Sequence, residues 1–254
     1  MRGTVESIWR HPVKGFTPEA LDQAELSAGA WFPSDRLYAV EDGPSGFDPA
    51  EPRHISKQKF TVLAKIPAVA RIRTAYDEAT GTLTARHDDG PEVRAVLTEA
   101  AGREGFAAWL ADILRDEIQG PLKVLAAPDA HRFTDHPQGY VSIINLASVR
   151  DLEARLGRRI DPRRFRANLY VEGWPAWAEA AAGDGVVRLG EAEGRVFKPI
   201  VRCVATHVDP ATGERDLELV SALQDVRGDA HCGLYVSVTR GGRLGLGDPV
   251  VLEA

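Results

Sequence analysis

The chain has 254 residues, 44% of them hydrophobic and 27% charged, the balance of a folded globular protein and not of a disordered one. A formal net charge of −6 leaves no surplus of cations to sheathe a nucleic acid, although it leaves room for a local cationic pocket. Two cysteines are too few for a disulfide framework, a four-thiolate zinc site or an iron–sulfur cluster.

The opening "MRGTVESIWRHPVKG" lacks the apolar centre of a signal peptide, and no apolar run approaches the ~20 residues of a membrane span. A cytoplasmic protein with no membrane attachment is expected. The basic side chains are 25 Arg and 6 Lys, a bias that points to a GC-rich, bacterial genome.

The first hundred residues read mainly as strands. Val5, Ser7 and Trp9 alternate with Glu6 and Ile8 until Pro12 stops the ladder. "RLYAVED" is a second strand, and the Gly- and Pro-rich stretch from Glu41 to His54 is a long loop. Val69–Tyr76 and Gly81–Asp88 flank the turn-forming "DEAT", which predicts a hairpin, and "EVRAVL" follows directly. Phe106, Trp109, Leu110, Ile113 and Leu114 share one face of a helix over Gly102–Glu117. A second helix is expected over Ala147–Leu156, with Val149, Leu152 and Leu156 inward, Asn145 or Ser148 as cap and Gly157 at the end. Strands return in "FRANLYVEG", "VVRLGEAEGRVF" and "RCVATHVDPATGERDLELV", the last closed by the Asp209–Gly213 turn. A terminal hairpin about Gly241-Gly242 is expected.

Most stock motifs are missing. There is no phosphate-binding P-loop, no H-E-x-x-H and no G-x-S-x-G, and "GGRLGLGD" ends the chain instead of opening a helix. The constellation that remains surrounds Cys203 in "KPIVRCVATHVDP". A lone intracellular cysteine is more often an inert core residue, but Arg202 and Lys198 lie close in sequence, and cations favour a thiolate. Lys14, Arg36, Lys57 and Arg166 are donors of the kind that hold phosphate, and each taken singly also reads as solvated surface charge.

Five segments in order resemble the molybdenum cofactor sulfurase C-terminal (MOSC) domain family, including its N-terminal β-barrel domain. "VESIWRHPVKG" carries Lys14, "SDRLYAVED" carries Arg36, and "FRANLYVEG" carries Arg166 and Asn168. "KPIVRCVATHVDPATG" carries Arg202, Cys203, Thr206 and Asp209, and "GLYVSVTRGGRLGLGDPVVL" carries Tyr235. The resemblance implies an α+β, β-rich fold: a MOSC-type β-barrel core over 99–254, a smaller N-terminal β-barrel domain over 1–98, and a few peripheral helices.

It implies a molybdopterin-type molybdenum cofactor with Cys203 as metal ligand and catalytic centre, as in members similar to the mitochondrial amidoxime reducing component. Cofactor contacts are then expected from Lys14, Arg36, Lys57, Gln138, Gly139, Arg166, Asn168, Arg202, Thr206 and Tyr235. The implied reaction is reduction of small N-hydroxylated compounds, with electrons from a separate electron-transfer protein. Neither a pyridoxal phosphate domain nor an iron–sulfur cluster is expected in this chain. The alternative is a non-catalytic carrier of the cofactor or of sulfur, and the plainest reading is a retained fold with an empty pocket. Gly15 stands where the family usually has serine, Ala167 where it has proline, Val201 where a small polar residue often precedes the Arg-Cys pair, and Ser56-Lys57-Gln58 where it often has Thr-Gln-Arg.

Overall fold

A computed structural model describes residues 1–88 and 90–253. In chain order the N-terminal half holds β1 (Arg2–Arg10), β2 (Glu19–Leu21), β3 (Gln23–Leu26), β4 (Tyr38–Asp42), β5 (Ile72–Asp77), β6 (Thr82–His87), β7 (Glu92–Val96), α1 (Ala100–Leu114) and β8 (Leu122–Ala126). The C-terminal half holds β9 (Val141–Asn145), α2 (Leu146–Leu156), β10 (Leu169–Glu172), β11 (Val186–Leu189), β12 (Ala192–Val201), α3 (Leu219–Arg227), β13 (His231–Arg240), β14 (Gly242–Gly245) and β15 (Pro249–Glu253).

Seven strands close into a barrel in the order β10-β9-β13-β12-β11-β15-β1, with β1 pairing back to β10 and β2 added outside β1. Closure removes the unpaired edges that an open sheet would present. Within the barrel, among the described residues, only β9 and β10 run parallel, and α2 makes the crossover between them. Val5, Ile8, Val141, Leu169, Val187, Val236 and Leu252 fill the barrel. The first strand of the chain is thus part of the C-terminal barrel. Its alternation changes phase where its pairing with β10 shifts between Val5 and Ser7. Val5 and Ile8 are buried in consequence, while Ser7 and Trp9 are half-buried.

A second core lies under the sheet β5-β6-β7 and the pair β4-β8. Phe106, Leu110 and Leu114 of α1 bury against Phe16, Ile66 and Leu83, and Trp109 and Ile113 pack at the margin as the helical spacing predicts. The predicted hairpin is β5 and β6, in register from Ile72 with His87 to Asp77 with Thr82. The two cores are clamped together. Val208 from the C-terminal half packs in the N-terminal core, and Arg73 donates to the carbonyls of Pro210 (2.9 Å) and Ala211 (2.7 Å).

Three expectations need correction. Leu156 is 38% exposed, because Val149 and Leu152 already fill the inner face of α2, which Asn145 caps and Gly157 ends with a φ of 61°. "LELV" continues no strand: Leu219, Ala222 and Leu223 take helical spacing and bury one face of α3. The terminal hairpin does not form, since β14 leaves β13 to pair with β3, and β15 returns between β1 and β11. Among the described residues no helix is long and apolar enough to cross a membrane.

Candidate functional site

A cleft lined by loops from both halves opens beside the barrel. Lys14 enters just after β1, Arg36 before β4, and Lys57 from a short 3-10 turn over Lys57–Lys59. Arg166 and Asn168 enter before β10, Cys203 after β12, and Tyr235 from β13 itself. Segments far apart in sequence therefore converge. The lining carries six cationic side chains (Lys14, Arg36, Lys57, Arg164, Arg166 and Arg202) against the carboxylates of Asp35 and Asp135, a reversal of the net charge of −6.

The cleft arginines are placed by unusual backbone. Arg36 and Arg166 both have a φ of 51°, a left-handed conformation that costs a non-glycine residue about 1–3 kcal/mol unless its surroundings enforce it. The Arg36 amide donates to the His11 carbonyl at 2.7 Å, and the Arg166 amide donates to the Arg163 carbonyl at 3.0 Å. Arg36 also ion-pairs with buried Asp35 and donates through Nη2 to the Arg166 carbonyl at 3.2 Å. Among the described residues Arg166 has no such carboxylate partner. Its Nη2 is buried without a hydrogen-bond partner, and burial together with nearby Arg36 pulls its pKa down to about 10. A guanidinium in that state fits an incoming anion.

Lys14 is buried and donates to Asp135 (2.5 Å) and to the Phe133 carbonyl (2.9 Å). Burial lowers its pKa against the support of Asp135. For Asp135, withdrawal from water works against the charge, and Lys14 and Lys57 more than offset it, holding the carboxyl well below the usual range.

The Lys57 Nζ lies 3.2 Å from the Cys203 Sγ. Burial works against this ammonium, but Asp135 and Cys203 outweigh it and raise its pKa. Cys203 itself sits in extended backbone between β12 and a 3-10 turn over Val204–His207, so it is not on the strand expected from its sequence. The cations expected beside it are elsewhere: Arg202 donates to the carbonyls of Cys232 and Phe165, and Lys198 lies over the Phe197 ring. Lys57, 146 residues away in sequence, supplies the charge instead. Cys232 is buried, and burial pushes its thiol up to about 12.

Residues 130–251 match the MOSC domain, and residues 2–119 match the MOSC N-terminal beta barrel domain. The chain belongs to the MOSC-domain family. The mitochondrial amidoxime reducing component 2 of Rattus norvegicus is 31% identical to it, over 98% of this chain and 82% of that protein. Its counterpart in Bos taurus is 24% identical over 98% of this chain and 82% of its own length. The molybdenum cofactor sulfurase of Caenorhabditis elegans is 34% identical across 135 residues, 52% of this chain and 18% of that protein.

Ten of the eleven residues singled out from the sequence line this MOSC cleft. Gly139 does not: it packs against the backbone of Ala30 and Trp31. Several of the ten spend their polar atoms inside the protein. The Asn168 Oδ1 accepts from the Ser142 amide (3.1 Å) and hydroxyl (2.8 Å), and its Nδ2 donates to the Trp9 carbonyl (3.2 Å). The Thr206 hydroxyl donates to the Cys203 carbonyl at 2.9 Å, and Gln138 accepts from the Tyr140 hydroxyl. These shape the wall. Lys14, Arg36, Lys57 and Arg166 bring cationic groups to it, and Cys203 brings a thiol.

Sequence reasoning missed Asp35, Asp135, His136, Tyr140 and Arg164 among the lining residues. Asp35 directly precedes Arg36, and a buried arginine generally needs such a partner. Nothing in the chain singles out Asp135 from other loop carboxylates. Gly15 also proves to be more than a lost hydroxyl. Its φ is 90°, and a Cβ there would lie 2.4 Å from the Thr61 carbonyl oxygen, so a serine has no room. Among the described residues no three His, Cys, Asp or Glu side chains gather as metal ligands.

Proposed function

We propose that this MOSC protein is a molybdenum-cofactor-dependent reductase of N-hydroxylated compounds that receives its electrons from a separate protein. The observation that carries the reading is the Cys203 thiol, 3.2 Å from the Lys57 ammonium, opening onto the same cleft as the unpartnered Nη2 of Arg166. A soft sulfur ligand and an anion-receiving guanidinium are the two requirements of a phosphorylated, metal-bearing pterin. The similarity to amidoxime reducing components over nearly the whole chain supports the same conclusion.

The residues divide the work by chemistry. Arg166 and Arg36 hold the cofactor's phosphate, Arg166 through the nitrogen that has no protein partner and Arg36 from a position fixed by Asp35. Cys203 would be the protein's metal ligand, with the Lys57 ammonium 3.2 Å from its sulfur. The cofactor, when bound, supplies two-electron reduction with removal of the substrate's N-bound oxygen. The balance for an amidoxime is one substrate, two electrons and two protons in, and one amidine and one water out. Asp135 and Lys14 form an ion pair in the same cleft, where the Lys14 ammonium holds a proton. Tyr235 lines the same cleft.

A second reading, a carrier of the cofactor or of sulfur on Cys203, is favoured by the match of about half the chain to a molybdenum cofactor sulfurase. Turnover separates the two. Cofactor-loaded protein with a chemically reduced viologen dye and an aryl amidoxime forms amidine and oxidises two equivalents of dye under the first reading. Cofactor retention with no amidine formed would favour the carrier.

A further inference from the structure

Six large hydrophobic side chains are exposed among the described residues, and three of them fall within eight positions around Cys203. Phe197 is 43% exposed, Val201 67% and Val204 42%, whereas Met1, Leu156 and Leu246 are scattered along the chain. Single exposed hydrophobics are ordinary, but a cluster at the rim of a reactive cleft marks a contact surface. Val201 lines the cleft, and Val204 directly follows the thiol.

Phe197 connects the surface to the site. Its ring stacks on Tyr140 at 4.5 Å and 16°, and Tyr140 meets Tyr235 at 5.5 Å, both tyrosines lining the cleft. On the Phe197 ring lies the Lys198 ammonium, 5.3 Å from the centroid, with no carboxylate partner among the described residues. On the cleft side Lys57 adds a cation that Asp135 and the Cys203 sulfur already engage. Asp229, near Val201 through the pairing of that residue with His231, is engaged 3.2 Å from the His231 Nδ1.

We infer that the Phe197–Val201–Val204 rim, with Lys198 beside it, is the docking surface for an acidic one-electron carrier protein of the ferredoxin class. The inference rests on the reductase reading and specifies where its electrons enter. An apolar centre beside an unpaired lysine complements a carrier whose prosthetic group lies under an acidic rim. Three side chains and a charged margin suit the small, transient contacts of electron-transfer pairs, below about 1,200 Å², and not a stable dimer. A second copy of this chain is also a poorer match, because a symmetric pairing brings two Lys198 ammoniums towards one another. Each docking delivers one electron as the carrier's cluster is oxidised, so two carriers complete one turnover. The two protons come from water.

The test uses an acidic plant-type [2Fe–2S] ferredoxin as probe and the full chain loaded with cofactor. Binding of oxidised ferredoxin is measured at low and moderate salt for the unaltered protein, Lys198→Glu and Val204→Asp. Turnover of an aryl amidoxime is measured with reduced ferredoxin and, separately, with reduced viologen dye. The unaltered protein should bind ferredoxin with an affinity that falls as salt rises. Each variant should lose at least about tenfold in affinity and in ferredoxin-driven rate while the dye-driven rate stays within twofold. No binding at low salt, or variants that bind as tightly as the unaltered protein, would overturn the surface. So would self-association of the unaltered protein that either substitution abolishes. Salt-dependent binding weakened by both substitutions, in protein that dye cannot drive, supports the surface and overturns the reductase reading instead.

Discussion

The Arg36 guanidinium donates to the carbonyl of Arg166 at 3.2 Å, and the two residues share a left-handed φ of 51°. The Arg36 side chain thereby holds the Arg166 backbone, and among the described residues only Arg36 of the two has a carboxylate partner. The pair is asymmetric: Arg36 is neutralised by Asp35, while Arg166 waits with an unbonded nitrogen. Under the proposed function, that asymmetry leaves Arg166 to receive the cofactor's phosphate.

Anion binding should follow that division. Inorganic phosphate should raise the thermal midpoint of the unaltered protein, because it binds only the folded chain. Arg166→Ala should weaken phosphate at least about tenfold, in line with loss of a charge-assisted bond worth ~1.5–3 kcal/mol. Arg166→Lys should recover only part, since a point charge does not reproduce the fork. Titration calorimetry with phosphate checks all three; equal affinities would remove Arg166 from the site.

The Lys57–Cys203 contact predicts thiol reactivity. Lys57→Met should slow alkylation of Cys203 by iodoacetamide at pH 7, because it removes the ammonium that lies 3.2 Å from the sulfur. Cys232, buried with its thiol pushed up to about 12, should stay unmodified in the folded protein. Mass spectrometry of timed samples reads both sites at once.

Acid stability should bear the mark of His11. Its imidazole is wholly buried, and burial, with Arg36 and Arg166 nearby, depresses its pKa to about 3 from an ordinary 6.5. Between those values the unfolded chain binds a proton that the folded chain refuses. Stability is therefore intact above about pH 6.5 and falls as pH drops towards 3, by up to ~1.4 kcal/mol per pH unit from this group. Asp35, held below the usual carboxylate range by Arg36 against the opposing effect of burial, adds to the loss below about pH 4. Urea midpoints of the unaltered protein and His11→Gln should differ in slope between pH 4 and 6. Parallel curves would show that His11 does not contribute.

Gly15→Ser restores the residue usual in the family and should nevertheless destabilise the protein by about 1–3 kcal/mol, since it adds a Cβ against the Thr61 carbonyl at positive φ. Thermal midpoints compare it with the parent. A neutral or stabilising result would mean that the backbone around Thr61 gives way.

Arg164 offers a purely structural contrast. Its buried guanidinium donates to Asp209 (2.8 Å), Asp216 (2.7 Å) and the His207 carbonyl (2.9 Å), bracing the turn that follows Cys203. Arg164→Met should cost about 1.5–3 kcal/mol, because it removes a buried cation from two partly hydrated carboxylates, leaving Asp209 its backbone amides and Asp216 the outer Arg158. Chemical denaturation measures the loss.

Local pattern made much of the fold legible. The period of Phe106, Leu110 and Leu114 gave α1, and the turn between Tyr76 and Gly81 gave the β5–β6 hairpin. What pattern could not supply was partnership. "GGRLGLGD" reads as one arm of a hairpin, yet β14 pairs with β3 some 220 residues earlier, as in Arg243 opposite Glu25. The barrel likewise needs β1, which no local signal ties to β10 and β15. The site divides in the same way. Motifs put Lys14, Arg36, Arg166 and Cys203 on one surface, because each lies in a segment of recognisable shape. They did not show that Lys57 replaces Arg202 as the cation beside the thiol, nor that Asp135 sits on Lys14, since both contacts are made by loops that meet only after folding.

The central claim is that Cys203 ligates the molybdenum of a pterin cofactor, and molybdenum content tests it most directly. The unaltered protein, Cys203→Ser and Cys232→Ser are produced in a host that makes the cofactor, and metal per chain is measured by elemental analysis. Near one equivalent is expected in the unaltered protein and in Cys232→Ser. Cys203→Ser, which exchanges a soft thiolate for a poorly ionised hydroxyl, should fold normally, carry little metal and reduce no amidoxime. A Cys203→Ser protein that keeps its molybdenum and its rate would contradict the account.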